Sequence, residues 1–155
     1  MKIANRMENL SPSVTMAITA LARELKAQGK DILSFSAGEP DFDTPEIIKQ
    51  AAIKAINDGH TKYTAVEGII ATKQAIINKL KKDHGLEYKL DGIVISNGAK
   101  HSLFNLFQVL IEEGDEVIIP APYWVTYPEQ VKFSDGVPVF IETDDTTEFK
   151  ITPEQ

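Results

Sequence analysis

The chain has 155 residues, 43% of them hydrophobic and 25% charged, with a net charge of −7; this length and balance suit one globular domain, and the acidic charge argues against a general nucleic-acid or anionic-membrane surface. Cysteine is absent, which excludes a disulfide framework, a thiol nucleophile and a thiolate metal site. No apolar run approaches the roughly 18–20 residues that span a bilayer, and the first residues, with Lys2, Arg6 and Glu8, hold no apolar signal core, so the expected location is the cytoplasm.

Ser11-Pro12 opens a helix in which Ile18, Leu21, Ala22 and Leu25 repeat at i, i+3, i+4 and i+7, and Gly29 closes it. A short strand is predicted over 32–35. AGEPDFDTP follows, too rich in acids and prolines for regular structure. Its Glu39, Asp41 and Asp43 could be mistaken for a metal cluster. Thr44-Pro45-Glu46 starts a second helix with Ile48, Ala51, Ala52, Ala55 and Ile56 on one face and Gly59 at its end. Residues 60–66 are a loop containing Tyr63. A third helix runs from Glu67-Gly68 through Ile69, Ile76 and Leu80 to Gly85. Next come a strand at 92–96, a helix at 99–112 with Leu103, Leu106, Phe107, Leu110 and Ile111 on one face, a strand at 116–119, a short helix near 125–133 and a strand at 137–141. This alternation implies an α/β sandwich. Thr152, Pro153 and Glu154 read as the first residues of another helix, so the chain is expected to be a truncated part of a longer protein.

The turn Asn97-Gly98-Ala99-Lys100 lies where a strand ends and a helix begins. The unsatisfied amides of a helix start form a natural anion site, and small residues let the main chain approach a dianion. Trp124, the single tryptophan, follows the next strand, at what should be the same sheet edge. A phosphate cradle beside an aromatic plate suits a flat phosphorylated ring.

Four segments then occur in order: SFSAGEPDFDTP, TKYTAVEGI, VISNGAKHSLFNLFQVL and GDEVIIPAPYWVTYPEQV. Together they resemble the N-terminal part of the class I aminotransferases, pyridoxal-phosphate enzymes of the aspartate aminotransferase fold. The likeness covers essentially the whole chain and is nearest to the bacterial aspartate and aspartate/prephenate branch. It implies the three-layer αβα fold of fold type I, present as an incomplete N-terminal portion. Residues 1–43 would be an N-terminal arm and small-domain segment. Residues 44–155 would be the first part of the large cofactor-binding domain.

The resemblance also implies roles. Gly98, Ala99 and Lys100 match the phosphate-binding turn, and Trp124 matches the residue stacked on the pyridine ring, where it also borders the substrate. Tyr63 matches the tyrosine that reaches the cofactor phosphate of the neighbouring subunit, which implies a homodimer with a shared active site. Gly38 matches the glycine whose amide meets the substrate carboxylate. The family segment that matches AGEPDFDTP binds no metal, which implies that Glu39, Asp41 and Asp43 are turn, cap and solvated charges. In the related branch a basic residue at the position of Ser11 accompanies use of prephenate; a serine favours a narrower, aspartate-like choice, or is simply a helix cap.

No lysine matches the Schiff-base motif, and the family's lysine lies beyond residue 155. The expected function is therefore the N-terminal segment of an aminotransferase acting on an amino acid such as aspartate and a 2-oxo acid such as 2-oxoglutarate, without nucleic-acid or membrane partners. A non-catalytic ligand-binding module and a lyase on the same fold remain open alternatives.

Overall fold

The computed structural model describes residues 2–36 and 38–155. They fall into two units, Met1–Gly38 with Ala99–Gln155, and Glu39–Gly98.

In the first unit, residues Asn5–Met7 form a 3-10 turn and α1 spans Val14–Ala27. The cap of α1 is Ser13, whose hydroxyl accepts the Met16 amide at 3.3 Å, so Ser11 is not the cap. Gly29, at φ +80°, ends the helix in a left-handed conformation that favours glycine. Residues 32–35, expected as a strand, join no ladder among the described residues; a strand needs a neighbour to pair with, and Leu33 and Phe35 are 82% and 95% exposed. The segment is anchored by its end instead, with the hydroxyls of Thr19 and Ser36 3.1 Å apart.

The rest of this unit is a βαβ arrangement behind a helix. α4 covers Ala99–Leu110, β1 Glu116–Ala121, α5 Thr126–Phe133 and β2 Val137–Glu142. β1 and β2 pair in parallel, from Glu116 opposite Val137 to Ala121 opposite Glu142. Val131 of α5 is fully buried and Ile119 of β1 nearly so. Gly136 permits this packing: a Cβ there would lie 2.6 Å from Ile111 Cγ2 and 3.1 Å from Val131 Cγ1. α4 packs on α5 through Phe104 and Phe133, with ring centroids 5.6 Å apart. The apolar face expected for α4 is only partly covered, since Leu106 and Leu110 are 47% and 65% exposed. The helix is apolar on more than one side.

The second unit holds α2 (Glu46–Asn57), α3 (Ile70–His84) and a 3-10 turn at Leu90–Gly92. α3 ends on Gly85 in the left-handed region, as its sequence anticipates. Residues 92–96 are expected as a strand, but Gly92 belongs to the 3-10 turn. Ile93 has extended dihedrals, φ −121° and ψ 127°, and Ile95 N–H donates to Glu67 C=O at 2.9 Å. The segment has the extended conformation at Ile93 but no ladder among the described residues.

Candidate functional site

The turn before α4 is built around Gly98. Its φ of +83° lies where residues with a Cβ are disfavoured. A Cβ placed there would meet nothing within 4 Å among the described residues, so the backbone conformation and open approach, not packing, set the need for glycine. The Gly98 amide donates to Ser96 C=O at 2.9 Å. Helix geometry leaves the first amides of α4, those of Ala99 and Lys100 among them, without an intrahelical acceptor. No acidic residue lies in the first turn of α4, so nothing there opposes an anion at the positive helix end.

Beyond β1 the chain passes Pro122 to Tyr123 and Trp124. Tyr123 stacks on Phe140 of β2, with centroids 4.9 Å apart and planes at 19°. Trp124 is not a core residue; it is 49% exposed. Lys100 Nζ lies 5.3 Å from its ring centroid. Cation, helix start and aromatic face are thereby gathered within one unit.

Two side-chain bridges hold α4 to α5. Gln130 Nε2 donates to Lys100 C=O at 2.8 Å, and Gln108 Nε2 donates to Ser134 Oγ at 2.7 Å. Neither is visible in the sequence, because the partners are 30 and 26 residues apart and no local pattern pairs them. Glu129 ties α5 to the N-terminal segment instead: its Oε2 accepts the Ser11 amide at 2.8 Å, while its Oε1 pairs within α5 with Lys132 at 3.0 Å. Ser11 lines a groove of about 370 Å³ together with Tyr123, Val125 and Glu129.

The remaining sequence-derived residues stand as follows. Tyr63, in the second unit, is fully exposed and sits in an irregular loop. Gly38 is exposed, and a Cβ there would meet nothing within 4 Å among the described residues, so packing does not require glycine. Among the described residues, two buried polar residues are not anticipated by the sequence reading: Ser134, which accepts from Gln108, and Lys73 of α3, which is 4% exposed with Glu67 at 3.8 Å. The spacing of Lys73 held the signal, since 69, 73, 76 and 80 form one helical stripe.

Comparison with known proteins agrees with this architecture. The sequence profile of the family described as "Aminotransferase class I and II" matches residues 30–155. An aspartate aminotransferase of Geobacillus stearothermophilus is 57% identical over all of this chain and 39% of its own length. An aspartate/prephenate aminotransferase of Nitrosomonas europaea is 54% identical, with the same coverage. The solved aspartate aminotransferase of Thermus thermophilus with maleate superposes with a TM-score of 0.93 at 43% identity, covering 99% of this chain and 40% of that one. The chain thus spans about two fifths of the length of these relatives. With that share of the α/β fold in common, the chain belongs to the class I and II aminotransferase family.

Proposed function

We propose that the longer protein carrying this sequence is a pyridoxal-phosphate-dependent aminotransferase that moves an amino group between aspartate and a 2-oxo acid such as 2-oxoglutarate. The names of the relatives support the reaction, and the dicarboxylate maleate in the Thermus thermophilus structure supports a dicarboxylic substrate. The observation that carries the reading is the approach of Lys100 Nζ to within 5.3 Å of the Trp124 ring.

The residues present fit that cofactor. The turn at Gly98 is open where a Cβ would stand, the first turn of α4 carries no acid, and a half-exposed indole lies beside the Lys100 cation. In this reading the amides of Ala99 and Lys100 hold the phosphate, Gly98 lets the main chain come close, and Lys100 adds positive charge. Trp124 covers one face of the ring and excludes water from it. Pyridoxal phosphate, when bound, supplies the electron sink that lets an amino group be transferred. Gly38 offers its amide to the substrate carboxylate. The exposed Tyr63 donates its phenol to a phosphate across a homodimer. The lysine that bonds to the cofactor and moves the proton lies outside residues 1–155.

The same reading assigns residues 1–43 to an arm and small-domain segment and residues 44–155 to the first part of a large domain. It places the protein in the cytoplasm, with small-molecule partners and neither nucleic acid nor membrane. Among the described residues no helix is long and apolar enough to cross a membrane.

The test is amino transfer by the purified full-length protein, assayed with aspartate and 2-oxoglutarate with and without added pyridoxal phosphate. Cofactor-dependent formation of glutamate is expected. Bound cofactor with elimination products in place of transfer would make the protein a lyase, and binding without turnover would make it a ligand-binding module.

A further inference from the structure

We infer that Gln130 is a positioning residue for the phosphate end of the cofactor site, holding the first turn of α4 in register with Trp124. This rests on the reading above, in which that turn and that ring hold pyridoxal phosphate.

Gln130 Nε2 donates to the main-chain carbonyl of Lys100 at 2.8 Å. The amide cannot be turned over without setting Oε1 against the carbonyl, acceptor to acceptor. In this orientation Gln130 Oε1 is buried and has no hydrogen-bond partner among the described residues. An orphaned buried acceptor is costly. A methionine would fill similar space without that cost, so packing alone does not account for glutamine at this position. The bond it makes is specific in its placement: it reaches the backbone of the residue whose ammonium lies on Trp124.

The topology gives the bond its use. Trp124 immediately precedes Val125, the N-cap of α5, and Gln130 lies within α5. Lys100 is the second residue of α4. The bond therefore joins the helix that presents the anion-binding amides to the helix that begins at the aromatic plate. General pairing of the two helices does not depend on it. The Phe104–Phe133 contact and the Gln108–Ser134 bond tie them farther along. Gln130 acts at the site end, where a shift of about 1 Å between cradle and plate would spoil simultaneous contact with phosphate and ring.

The experiment compares two variants of the full-length protein that each lose one bridge, Gln130→Met and Gln108→Met. Cofactor is removed, then affinity for pyridoxal 5′-phosphate is titrated through its visible absorbance and circular dichroism, alongside thermal melts. Gln130→Met is expected to bind about five- to tenfold more weakly, as for one lost hydrogen bond, with an altered dichroic band. Gln108→Met is expected to lower the melting temperature while leaving cofactor affinity within about twofold of the parent. Gln130→Glu adds a test that also serves if Gln130→Met does not fold. An ionised carboxylate cannot donate to Lys100 C=O, so its affinity relative to the parent should recover as pH falls from about 8 toward and through the ordinary glutamate pKa of about 4.3. Parent-like affinity and dichroism in the Gln130 variants, an equal loss in Gln108→Met, or a pH-independent defect in Gln130→Glu would each overturn the inference. Failure of the parent protein to bind pyridoxal phosphate would instead overturn the proposed function, and this inference with it.

Discussion

The Lys100 ammonium lies 5.3 Å from the centre of the Trp124 ring, joining the first turn of one helix to the residue that introduces the next. An exposed cation–π contact contributes about 0.5–1 kcal/mol, too little to account for leaving the single tryptophan half exposed. Under the proposed function the arrangement is a seat for a planar anion, with charge and amides at one end and an aromatic face beside them.

If Trp124 is that face, Trp124→Ala in the full-length protein should weaken cofactor binding by about 1–3 kcal/mol, the scale of one aromatic stack plus lost burial. Trp124→Phe should retain most of the affinity. Equilibrium titration of the cofactor-free protein decides it, and unchanged affinity in Trp124→Ala would remove the residue from the site.

Tyr63 is fully exposed, which leaves its phenol available to another chain. Tyr63→Phe should lower cofactor affinity by about 1–3 kcal/mol, as for a hydrogen bond to a charged group. Mixed dimers of this variant with subunits lacking the cofactor-binding lysine should regain activity, because one of the two hybrid sites carries neither defect. Proven heterodimers without regained activity would place the action of Tyr63 within its own subunit or nowhere.

The helices were legible in the sequence because each is marked locally. Apolar spacing and the glycines at 29, 59 and 85 need no knowledge of the rest of the fold, although the cap of α1 is Ser13 and not the Ser11 that the sequence suggests. The strands β1 and β2 were legible because each finds its partner within the chain. Residues 32–35 and 92–96 carry strand-like sequence, but a ladder depends on a neighbour that sequence alone cannot supply. The site divides the same way. Gly98 and Trp124 stand out by residue type and place, whereas the bond from Gln130 to Lys100 is a product of helix packing and leaves no local trace. Lys73 was readable in principle, as the one lysine in an apolar stripe, and was missed because the stripe was read from its aliphatic members alone.

Gly68 tests the second unit. Its φ is +103°, and a Cβ would stand 2.3 Å from Ile95 Cγ1 and 2.8 Å from Ile95 Cβ. Gly68→Ala should therefore destabilise the fold by about 1–3 kcal/mol through backbone strain and overpacking. The adjoining bond from Ile95 N–H to Glu67 C=O limits how far the chain can move aside. Denaturant melts measure the change; a parent-like midpoint would show that the segment repacks freely.

Asp144 provides a pH test. Its carboxylate is held below the ordinary aspartate range first by the Thr146 hydroxyl and then by the Thr146 amide. A depressed folded value means that its contribution is present above the ordinary aspartate pKa and is lost as pH falls through the lower folded one. The carboxylate is fully exposed, so the effect is small and local. Carboxyl NMR should show an Asp144 midpoint below that of a free aspartate, and Thr146→Val should move it back upward. A midpoint already at the ordinary value would contradict the assignment.

The central claim is that the turn at Gly98–Lys100 and the ring of Trp124 form one cofactor seat. A crystal structure of the full-length protein with pyridoxal 5′-phosphate measures this directly. The account predicts the phosphate within hydrogen-bond distance of the Ala99 and Lys100 amides, with the indole of Trp124 lying against the pyridine ring. A phosphate held elsewhere, or a pyridine ring out of contact with Trp124, would contradict it.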